Sequence, residues 1–555
     1  MLCFRRIFVN CSEHFLSCSL KSATSTLTLK CEDALEEKSL RLTIKRFFSG
    51  TLLSRMSGMG RDLVMAFAFG DHASVAAFMV AFRLSNLLRR LLGEGPFQSA
   101  FIPHFMQIHV QDKSRANRFF CKLSLLLSLL LIGFILLAEG GITAFLTLPI
   151  SDANREILKL TAWLLPGLLF ICMYGLNISV LNCYEYFFIP SFAPFICNMI
   201  WMLAAFLLRH QAPDLAMPYL AKWVAIGFFG QWLITFVPTL RCVGGNWRQW
   251  FDLQIPEEVQ TLAKTLSLSI IGVGAMQINS FVDPLFARYI DVKAPTYLWY
   301  SIRLEQLALA IFGIACVSTI VPRLARCLKN GQIEQAKNLF SFSYQRIMMV
   351  MIPCTFAILA IGTSSVNLLY GRGNFSEIAV VKTTFCLWAY SLGLVPSSLV
   401  LLFSAIFYAQ NHFRTPMFLS VATVAVNIVL NTLFVFQLQL GVISTALATS
   451  ISAYLNYWIL YKFSHKAGWK SPLFLPLIFK TVFASAFAAL CAFGIGFLLN
   501  SSLGLTRHVS SQLLSFFTQA FAFILGLFFY AKICKHKELL DLFSDFFLKT
   551  SPEIK

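Results

Sequence analysis

Five arginines stand inside a mostly apolar stretch that runs from Ser54 to Gln107. They are Arg55, Arg61, Arg83, Arg89 and Arg90, and the same stretch contains Asp62 and Glu94. In a membrane each arginine costs from about 3 to over 10 kcal/mol unless it faces a cavity or a partner. We therefore interpret the arginines as a site that holds an anionic group. The alternative is that arginines at helix ends extend to lipid headgroups, which explains Arg55 or Arg90 alone better than it explains all five.

The chemistry of arginine indicates which anion such a site would hold. A guanidinium group presents a planar fork of N–H donors that binds phosphate in a bidentate manner. Several arginines therefore favour a phosphate or pyrophosphate group over a monovalent or cationic solute. Asp62 follows Arg55 by seven residues and Glu94 follows Arg90 by four, which places each carboxylate near the helix face of an arginine. We expect each carboxylate to neutralise an arginine while the site is empty.

A second set of polar residues lies far along the chain in apolar surroundings. Its members are Asp283, Asn427, Asn431, Thr445 and Thr449. The two asparagines are one helical turn apart, as are the two threonines, and oxygen-bearing side chains of this kind suit a sodium ion or a proton relay. Two alternatives stay open. The asparagines and threonines join helices by hydrogen bonds, or Asp283, which precedes Pro284, caps a broken helix.

The composition decides what kind of protein must position these residues. Of 555 residues, 57% are hydrophobic and 13% are charged, whereas soluble proteins carry about 25% charged residues. Apolar runs of roughly 20 residues, enough to cross a bilayer, recur throughout. They indicate an all-α polytopic membrane protein rather than a β-barrel of short alternating strands. The net charge of +19 lies mostly in short links between these runs, a distribution typical of contact with anionic lipid headgroups and not of nucleic-acid binding.

The apolar runs predict about fourteen transmembrane helices. Their predicted bounds are 40–69, 73–108, 118–148, 155–185, 190–209, 218–240, 258–290, 294–326, 333–370, 377–410, 414–436, 441–464, 472–500 and 510–534. We expect residues 1–39 to be a disordered extension or the product of a start site assigned too early. Basic links alternate with neutral or mixed links, so both termini, including the tail 536–555, are predicted to be cytoplasmic.

An internal repeat divides the chain into two lobes. The segment from Arg83 to Pro103 resembles the segment from Arg303 to Pro322, and a second similarity near residues 184–190 and 408–416 has a similar offset. A displacement by six helices keeps the orientation, so we expect an N-lobe (40–251) and a C-lobe (252–466) related by an axis along the membrane normal. Because substrate sites of such transporters lie between the lobes, Arg83 and Arg303 are predicted to face one cavity.

The last two predicted helices, within residues 467–535, are almost wholly apolar. Side chains of this kind are poor binders of a polar solute. We expect the two helices either to form a lipid-facing groove for an acyl or prenyl tail or to pack against the lobes.

Several motifs resemble the signature of the MurJ (MviN) family of lipid II flippases over residues 40–540. The resemblance rests on Ser54-Arg55, Gly58, Arg61-Asp62, Phe69-Gly70, Ala77-Phe78, Ala81-Phe82, Asn86 to Arg90, Glu94-Gly95, Phe97 to Pro103, Ile189 to Pro194, Tyr300, Arg303-Leu304, Gly371 to Phe375, Phe407 to Ala409 and Thr415-Pro416. It implies a fourteen-helix fold of the multidrug/oligosaccharidyl-lipid/polysaccharide exporter superfamily. It also implies that lipid II, an undecaprenyl-pyrophosphate-linked peptidoglycan precursor, moves to the outer leaflet by alternating access.

The resemblance assigns roles to particular residues. It places the family's cavity arginines on Arg55, Arg61, Arg89 and Arg303 and its cavity glutamate on Glu94. Together with the residues above, the candidate substrate-binding residues are Arg55, Arg61, Asp62, Arg83, Asn86, Arg89, Arg90, Glu94 and Arg303. The ion site of some members falls on Asp283, Asn427, Asn431 and Thr449. Three positions depart from the family pattern, because Ala76, Ile302 and Asn431 stand where acidic or polar residues are usual.

The sequence thus predicts a lipid II flippase of the bacterial inner membrane, a transporter and not an enzyme. We expect no metal and no cofactor, since the fifteen cysteines form neither a CxxC pair nor a Cys/His cluster at zinc spacing. The energy source is expected to be a coupling cation, sodium or a proton, or the membrane potential. Expected partners are lipid II, membrane lipids and cell-wall synthases, with the monomer as the working form. The alternatives are another lipid-linked oligosaccharide flippase or a cation-coupled exporter of the same superfamily.

Overall fold

A computed structural model shows how the chain is arranged. It describes residues 49–92, 96–244, 280–410, 414–469, 475–503, 507–536 and 538–541, with a few single positions between these ranges. The predicted extension of residues 1–39 and most of the predicted tail lie outside the described residues. Throughout the described ranges the regular structure is helical and no strand occurs, which confirms the predicted all-α class.

The described helices are numbered α1 to α17 in chain order. They are α1 (49–69), α2 (Ala73–Leu92), α3 (Pro96–Gln111), α4 (Lys113–Leu146), α5 (Asp152–Cys183), α6 (Phe188–Leu208), α7 (Pro213–Val243), α8 (280–290), α9 (Ala294–Ala308), α10 (Ala315–Lys329), α11 (Ile333–Tyr370), α12 (Glu377–Ser391), α13 (Leu394–Ala409), α14 (Arg414–Thr432), α15 (Ser444–Lys466), α16 (Leu475–Leu503) and α17 (Val509–Ile533).

Ten helical spans in the described part of the chain are long and apolar enough to cross a membrane. This number supports a polytopic membrane protein, because each such span needs only about 20 apolar residues. The predicted count of about fourteen helices and the predicted lobe boundaries stay predictions.

Three predicted helices contain an irregular step. The predicted helix 377–410 corresponds to α12 and α13, and the predicted helix 414–436 ends in a π-helical segment, Leu433–Gln437. The predicted helix 294–326 is α9 and α10 joined by a π-helical segment, Leu309–Ile314. At that segment a Cβ on Gly313 would lie 2.6 Å from the Ser398 hydroxyl of α13.

The first half of the chain (α1 to α7) and the second half (α8 to α15) pack into one continuous core. In the first half Phe78 and Phe82 of α2 make edge-to-face contacts with Trp201 of α6, with ring centroids 5.5 and 4.8 Å apart. Phe82 also contacts Trp299 of α9 at 5.8 Å, so aromatic packing of about 0.5–1.5 kcal/mol per pair joins the halves. Helices α16 and α17 pack on each other and on α11.

Several loops meet on one side of the molecule. The loops 70–72, 209–212, 291–293, 371–376 and 438–443 lie there, and Lys293 Nζ is 3.3 Å from Asp71 Oδ2. His72 Nδ1 lies 3.5 Å from Asp214 Oδ1 at the start of α7. We call this side the outer face, because the positive-inside pattern predicts it to lie opposite the cytoplasm.

Candidate functional site

A cavity of about 90 Å³ opens between the two halves of the chain, at the repeated segments. Its walls come from α2, from residues at and just before α8, and from α9. The lining residues are Arg83, Asn86, Leu87, Arg90, Gln277, Ser280, Phe281, Trp299, Ile302, Arg303 and Gln306. Four of the nine candidate substrate-binding residues are therefore brought together in one cavity, and the repeat pair Arg83 and Arg303 is among them.

An indole ring holds the two repeated arginines side by side. The Arg303 Cζ lies 4.5 Å from the centroid of the Trp299 ring, and the Arg83 Cζ lies 5.5 Å from it. Such cation–π contacts are worth about 0.5–2 kcal/mol each. The Arg83 Nη1 also donates to the Ser280 carbonyl at 3.0 Å. Because Trp299 comes one helical turn before Arg303, α9 supplies both the guanidinium and the ring that orients it.

Behind the cavity wall, Asp62 is shared by two arginines. Arg61 Nε and Nη2 donate to Asp62 Oδ1 at 3.0 and 2.8 Å. Arg303 Nε lies 3.1 Å from Asp62 Oδ2, close enough for an ion pair but without hydrogen-bond alignment. Asp62 is 3% exposed, whereas the Arg303 side chain is 37% exposed. The carboxylate thus links α1 to α9 and neutralises part of the positive charge.

Arg61 is fixed inside the first half of the chain. Its Nη1 donates to Asn198 Oδ1 at 3.2 Å, and its Cζ lies 4.5 Å from the Trp201 ring centroid. Asn198 Nδ2 in turn donates to the Ser57 hydroxyl at 3.0 Å. With 9% exposure, Arg61 contributes a fixed positive charge beside the cavity rather than a group that lines it.

The other candidate arginines, Arg89, Arg90 and Arg55, differ in their partners. Arg89 Nε donates to Asn86 Oδ1 at 3.0 Å, and Arg90 Nη1 donates to Gln277 Oε1 at 2.9 Å. Glu94, the expected partner of Arg90, lies outside the described residues, so that pairing stays a prediction. Arg55 is exposed and is not one of the described residues that line the cavity.

The expected pairing of Asp62 with Arg55 is wrong, because Asp62 pairs with Arg61 and Arg303 instead. Seven residues of helix advance about 10 Å along the axis. The guanidinium of the neighbouring residue and that of α9 are therefore closer to the carboxylate. Nothing in the helical spacing singles out Asn198, Gln277 or Trp299, although an aromatic residue one turn before Arg303 is a weak signal for a cation–π contact.

The second predicted polar set also meets in space. Asp283 of α8 accepts from Asn431 Nδ2 of α14 at 2.8 Å and from the Thr449 hydroxyl of α15 at 3.0 Å. Asn431 Nδ2 donates to Asn427 Oδ1 at 2.8 Å, and Asn427 Nδ2 donates to Thr449 Oγ1 at 3.3 Å. Asp283 is 5% exposed and both asparagines are fully buried. The four residues predicted as an ion site thus form one hydrogen-bonded cluster.

The geometry of this cluster tests the two alternatives to an ion site, which are a helix cap by Asp283 and hydrogen bonds that join helices. Asp283 lies inside α8, so the expectation that it caps a broken helix is wrong. The hydrogen bonds join three helices, as expected of interhelical contacts. The same residues offer carboxylate, amide and hydroxyl oxygens, the ligands that hard cations prefer. The Thr445 hydroxyl, one turn from Thr449, is buried without a hydrogen-bond partner among the described residues.

Comparisons with known proteins give one consistent answer. The family model described as "Lipid II flippase MurJ" matches residues 65–517. The chain is 34% identical over 399 residues to the "Probable lipid II flippase MurJ" of Chlamydia trachomatis serovar D. This match covers 71% of this chain and 73% of that protein. It is 30% identical over 423 residues to the protein of the same description from Vibrio cholerae, covering 73% and 78%.

Solved structures show the same fold. The structure titled "Lipid II flippase MurJ, inward closed conformation" superposes with a TM-score of 0.72 at 22% identity, covering 89% of this chain and 99% of that chain. An inward-facing multidrug resistance transporter of the MATE family superposes with a TM-score of 0.61 at 14% identity, covering 77% and 98%.

Proposed function

The chain belongs to the MurJ family of lipid II flippases, and on this premise we propose that it moves lipid II across the bacterial inner membrane by alternating access. The proposed direction is from the cytoplasmic to the outer leaflet. The chain is then a transporter and not an enzyme, with both termini in the cytoplasm and the outer face, as defined above, directed away from it.

The observation that supports this proposal best is the arginine-lined cavity between the halves of the chain. Arg83 and Arg303 lie over the same Trp299 ring and line the same cavity. Arg90 adds a third guanidinium to the lining. Guanidinium forks arranged around one space fit the oxygens of a pyrophosphate group. A cation exporter would instead need an acidic cavity, which makes that alternative a poorer fit.

The position of Asp62 suggests how loading of the cavity affects the lobes. While the cavity is empty, the one carboxylate of Asp62 offsets part of the positive charge of Arg61 and Arg303. An entering pyrophosphate competes with Asp62 for Arg303, because Arg303 reaches the cavity and Arg61 does not. We infer that Arg303 then exchanges its carboxylate partner for phosphate. This exchange changes the contact between α1 and α9 and so biases the relative position of the lobes.

The energy source is proposed to act through the polar cluster at Asp283. A sodium ion or a proton bound there would neutralise the one carboxylate of the cluster. Because Asn431 supplies an amide and not a second carboxylate, the charge of the site differs from that of sodium-binding relatives. The membrane potential is the alternative source and is worth about 2.3 kcal/mol per elementary charge per 100 mV.

The lipid tail is proposed to remain in the bilayer beside α16 and α17. Both helices expose large apolar side chains, including Phe483, Leu490, Phe517 and Phe521. Such surfaces are favourable next to acyl or prenyl chains and unfavourable next to water. The headgroup would then cross through the cavity while the tail stays in lipid.

The test is transport of fluorescent lipid II by the purified protein in vesicles, together with rescue of cells depleted of their own flippase. We expect the wild type to do both and Arg303→Ala to do neither. Arg209→Ala is the matched control, since Arg209 also lies over an aromatic ring, with its Cζ 3.8 Å from the Phe206 centroid, but is half-buried at the outer face, away from the cavity. Failure of well-inserted wild type with lipid II would indicate a different lipid-linked oligosaccharide as the substrate.

A further inference from the structure

The loop of residues 371–376, between α11 and α12, contacts the end of α1. The Asn374 backbone N–H donates to the Phe67 carbonyl at 3.1 Å, and Asn374 Nδ2 donates to the Ala68 carbonyl at 2.7 Å. Carbonyls in the last turn of a helix have no partner within that helix. A loop from the predicted C-lobe thus caps a helix of the predicted N-lobe.

Two glycines, one from each side, make this contact possible. Gly373 has φ +61°, and a Cβ there would lie 2.2 Å from the Phe67 carbonyl oxygen. Gly70 has φ +62°, and a Cβ there would lie 2.0 Å from the Asn374 carbonyl oxygen. Both positions need a left-handed backbone and the absence of a side chain. The two backbones therefore approach more closely than any other residue pair would allow.

The loop is held firmly on its own side. The Ser376 hydroxyl accepts from the Ala379 N–H at 3.1 Å and caps α12, while Phe375 packs edge-on against Tyr300 at 5.5 Å. Movement of the loop away from α1 is therefore most easily achieved by movement of the whole half that carries it. The hydrogen bonds to Phe67 and Ala68 cannot persist when the two halves separate at the outer face.

The same loop is bound by α17. Gln512, which is 2% exposed, donates from Nε2 to the Gly371 carbonyl at 3.2 Å, and its Oε1 accepts from Arg372 Nε at 3.1 Å. One short segment thus contacts α1, its own half and the helix pair that lies beside the proposed path of the lipid tail.

We propose that the loop of residues 371–376 is a latch that holds the two halves together at the outer face and is released when the cavity opens there. Asn374 is its positioning residue, and Gln512 connects the latch to α17. This inference rests on the proposed alternating-access function. Among the described residues, two hydrogen bonds join the loop to α1. Water can replace them when the loop leaves, which makes the latch reversible.

The experiment is hydrogen–deuterium exchange of the full-length protein in lipid nanodiscs without lipid II. Gly373→Ala introduces the Cβ that would meet the Phe67 carbonyl, and we expect exchange of the Asn374 amide to rise about tenfold. Gly331→Ala is the matched control, because Gly331 has φ +72° but no atom within 4 Å of its added Cβ. We expect that control to leave exchange of the latch segment unchanged.

A second variant tests the side-chain bond by itself. Asn374→Asp keeps the size and the backbone N–H but removes the amide donor to the Ala68 carbonyl. We expect a smaller rise in exchange than for Gly373→Ala, again limited to residues 67–76 and 371–376. Gln512→Glu removes the donor to the Gly371 carbonyl and keeps the acceptor for Arg372, and it should also raise exchange of the latch.

The results separate the latch from the proposed function. Wild-type exchange in Gly373→Ala, or an equal rise in Gly331→Ala, would overturn the latch. Faster exchange in Gly373→Ala and Asn374→Asp supports it, whether or not the wild type transports lipid II in vesicles. A wild type that fails to transport lipid II while the latch responds as expected would refute only the substrate.

Discussion

Replacement of Asp62 by asparagine tests the charge balance behind the cavity. The change keeps the shape of the side chain and removes the negative charge that Arg61 and Arg303 share. Breaking a buried ion pair by removing one partner costs about 3–5 kcal/mol. The Arg61 side of the pair is buried, whereas the Arg303 side chain is 37% exposed and contributes at most about 1 kcal/mol. We expect Asp62→Asn to lower the free energy of unfolding by about 3 kcal/mol, mostly through Arg61.

The assay is thermal unfolding of the purified variants in one detergent or nanodisc, compared in a double-mutant cycle. Asp62→Asn with Arg61→Gln removes both charges of the buried pair and should recover part of the lost stability. Asp62→Asn with Arg303→Gln should recover less. The control is Asp214→Asn, the same chemical change at a carboxylate that is 68% exposed and lies near His72, and it should leave the midpoint unchanged.

Transport gives the second half of this prediction. In Asp62→Asn the carboxylate that pairs with Arg303 no longer competes with phosphate, so lipid II should bind more tightly and leave more slowly. We expect a lower KM and a lower turnover of Asp62→Asn in vesicles. A variant as stable as the wild type, or an Arg303 coupling as large as the Arg61 coupling, would refute the reasoning.

Three further predictions follow from the described contacts. Trp299→Phe keeps a ring under Arg83 and Arg303 but weakens both cation–π contacts, so lipid II binding should weaken by about tenfold; unchanged binding in a titration would argue against the shared ring. Asn431→Asp places a second carboxylate beside Asp283, and two adjacent carboxylates must bind a cation or a proton. The unfolding midpoint of this variant should therefore be higher in sodium chloride than in potassium chloride. Equal midpoints would speak against a sodium site. Burial alone would raise the pKa of Asp291. The Lys382 Nζ lies 2.6 Å from Asp291 Oδ2, and its hydrogen bond and positive charge hold the pKa of Asp291 below its usual range. The stability that this pair contributes is fully present above the unfolded-state pKa of Asp291 and is lost as the pH falls through its lower folded-state pKa. Lys382→Met should therefore flatten the acid side of a plot of the unfolding midpoint against pH. An unchanged acid side would contradict this assignment.

Much of the architecture follows from local sequence patterns. The length of the apolar runs predicts membrane-spanning helices, because the thickness of the bilayer sets the length of each run. The repeat of Arg83 as Arg303 places both residues at one cavity, since equivalent residues of two parallel repeats face the space between them. Asp283 and Asn431 could be grouped because an isolated polar residue in an apolar helix needs a polar partner.

Other features are decided only when the helices pack. Helical periodicity fixes which face of its own helix Asp62 occupies, but the distance to Arg303 depends on how α1 and α9 are placed. The contacts of Arg61 with Asn198 and of Arg90 with Gln277 join residues that are 137 and 187 positions apart, and no local pattern relates such positions.

The latch shows most clearly which features follow from local sequence and which depend on helix packing. By itself the sequence determined that glycines occupy positions 70 and 373, both of which are turn positions between apolar runs. Only the tertiary structure decided that these two turns meet and that Asn374 caps α1. The physical reason is that a turn residue specifies the local backbone angle. The packing of whole helices specifies which carbonyls that turn will reach.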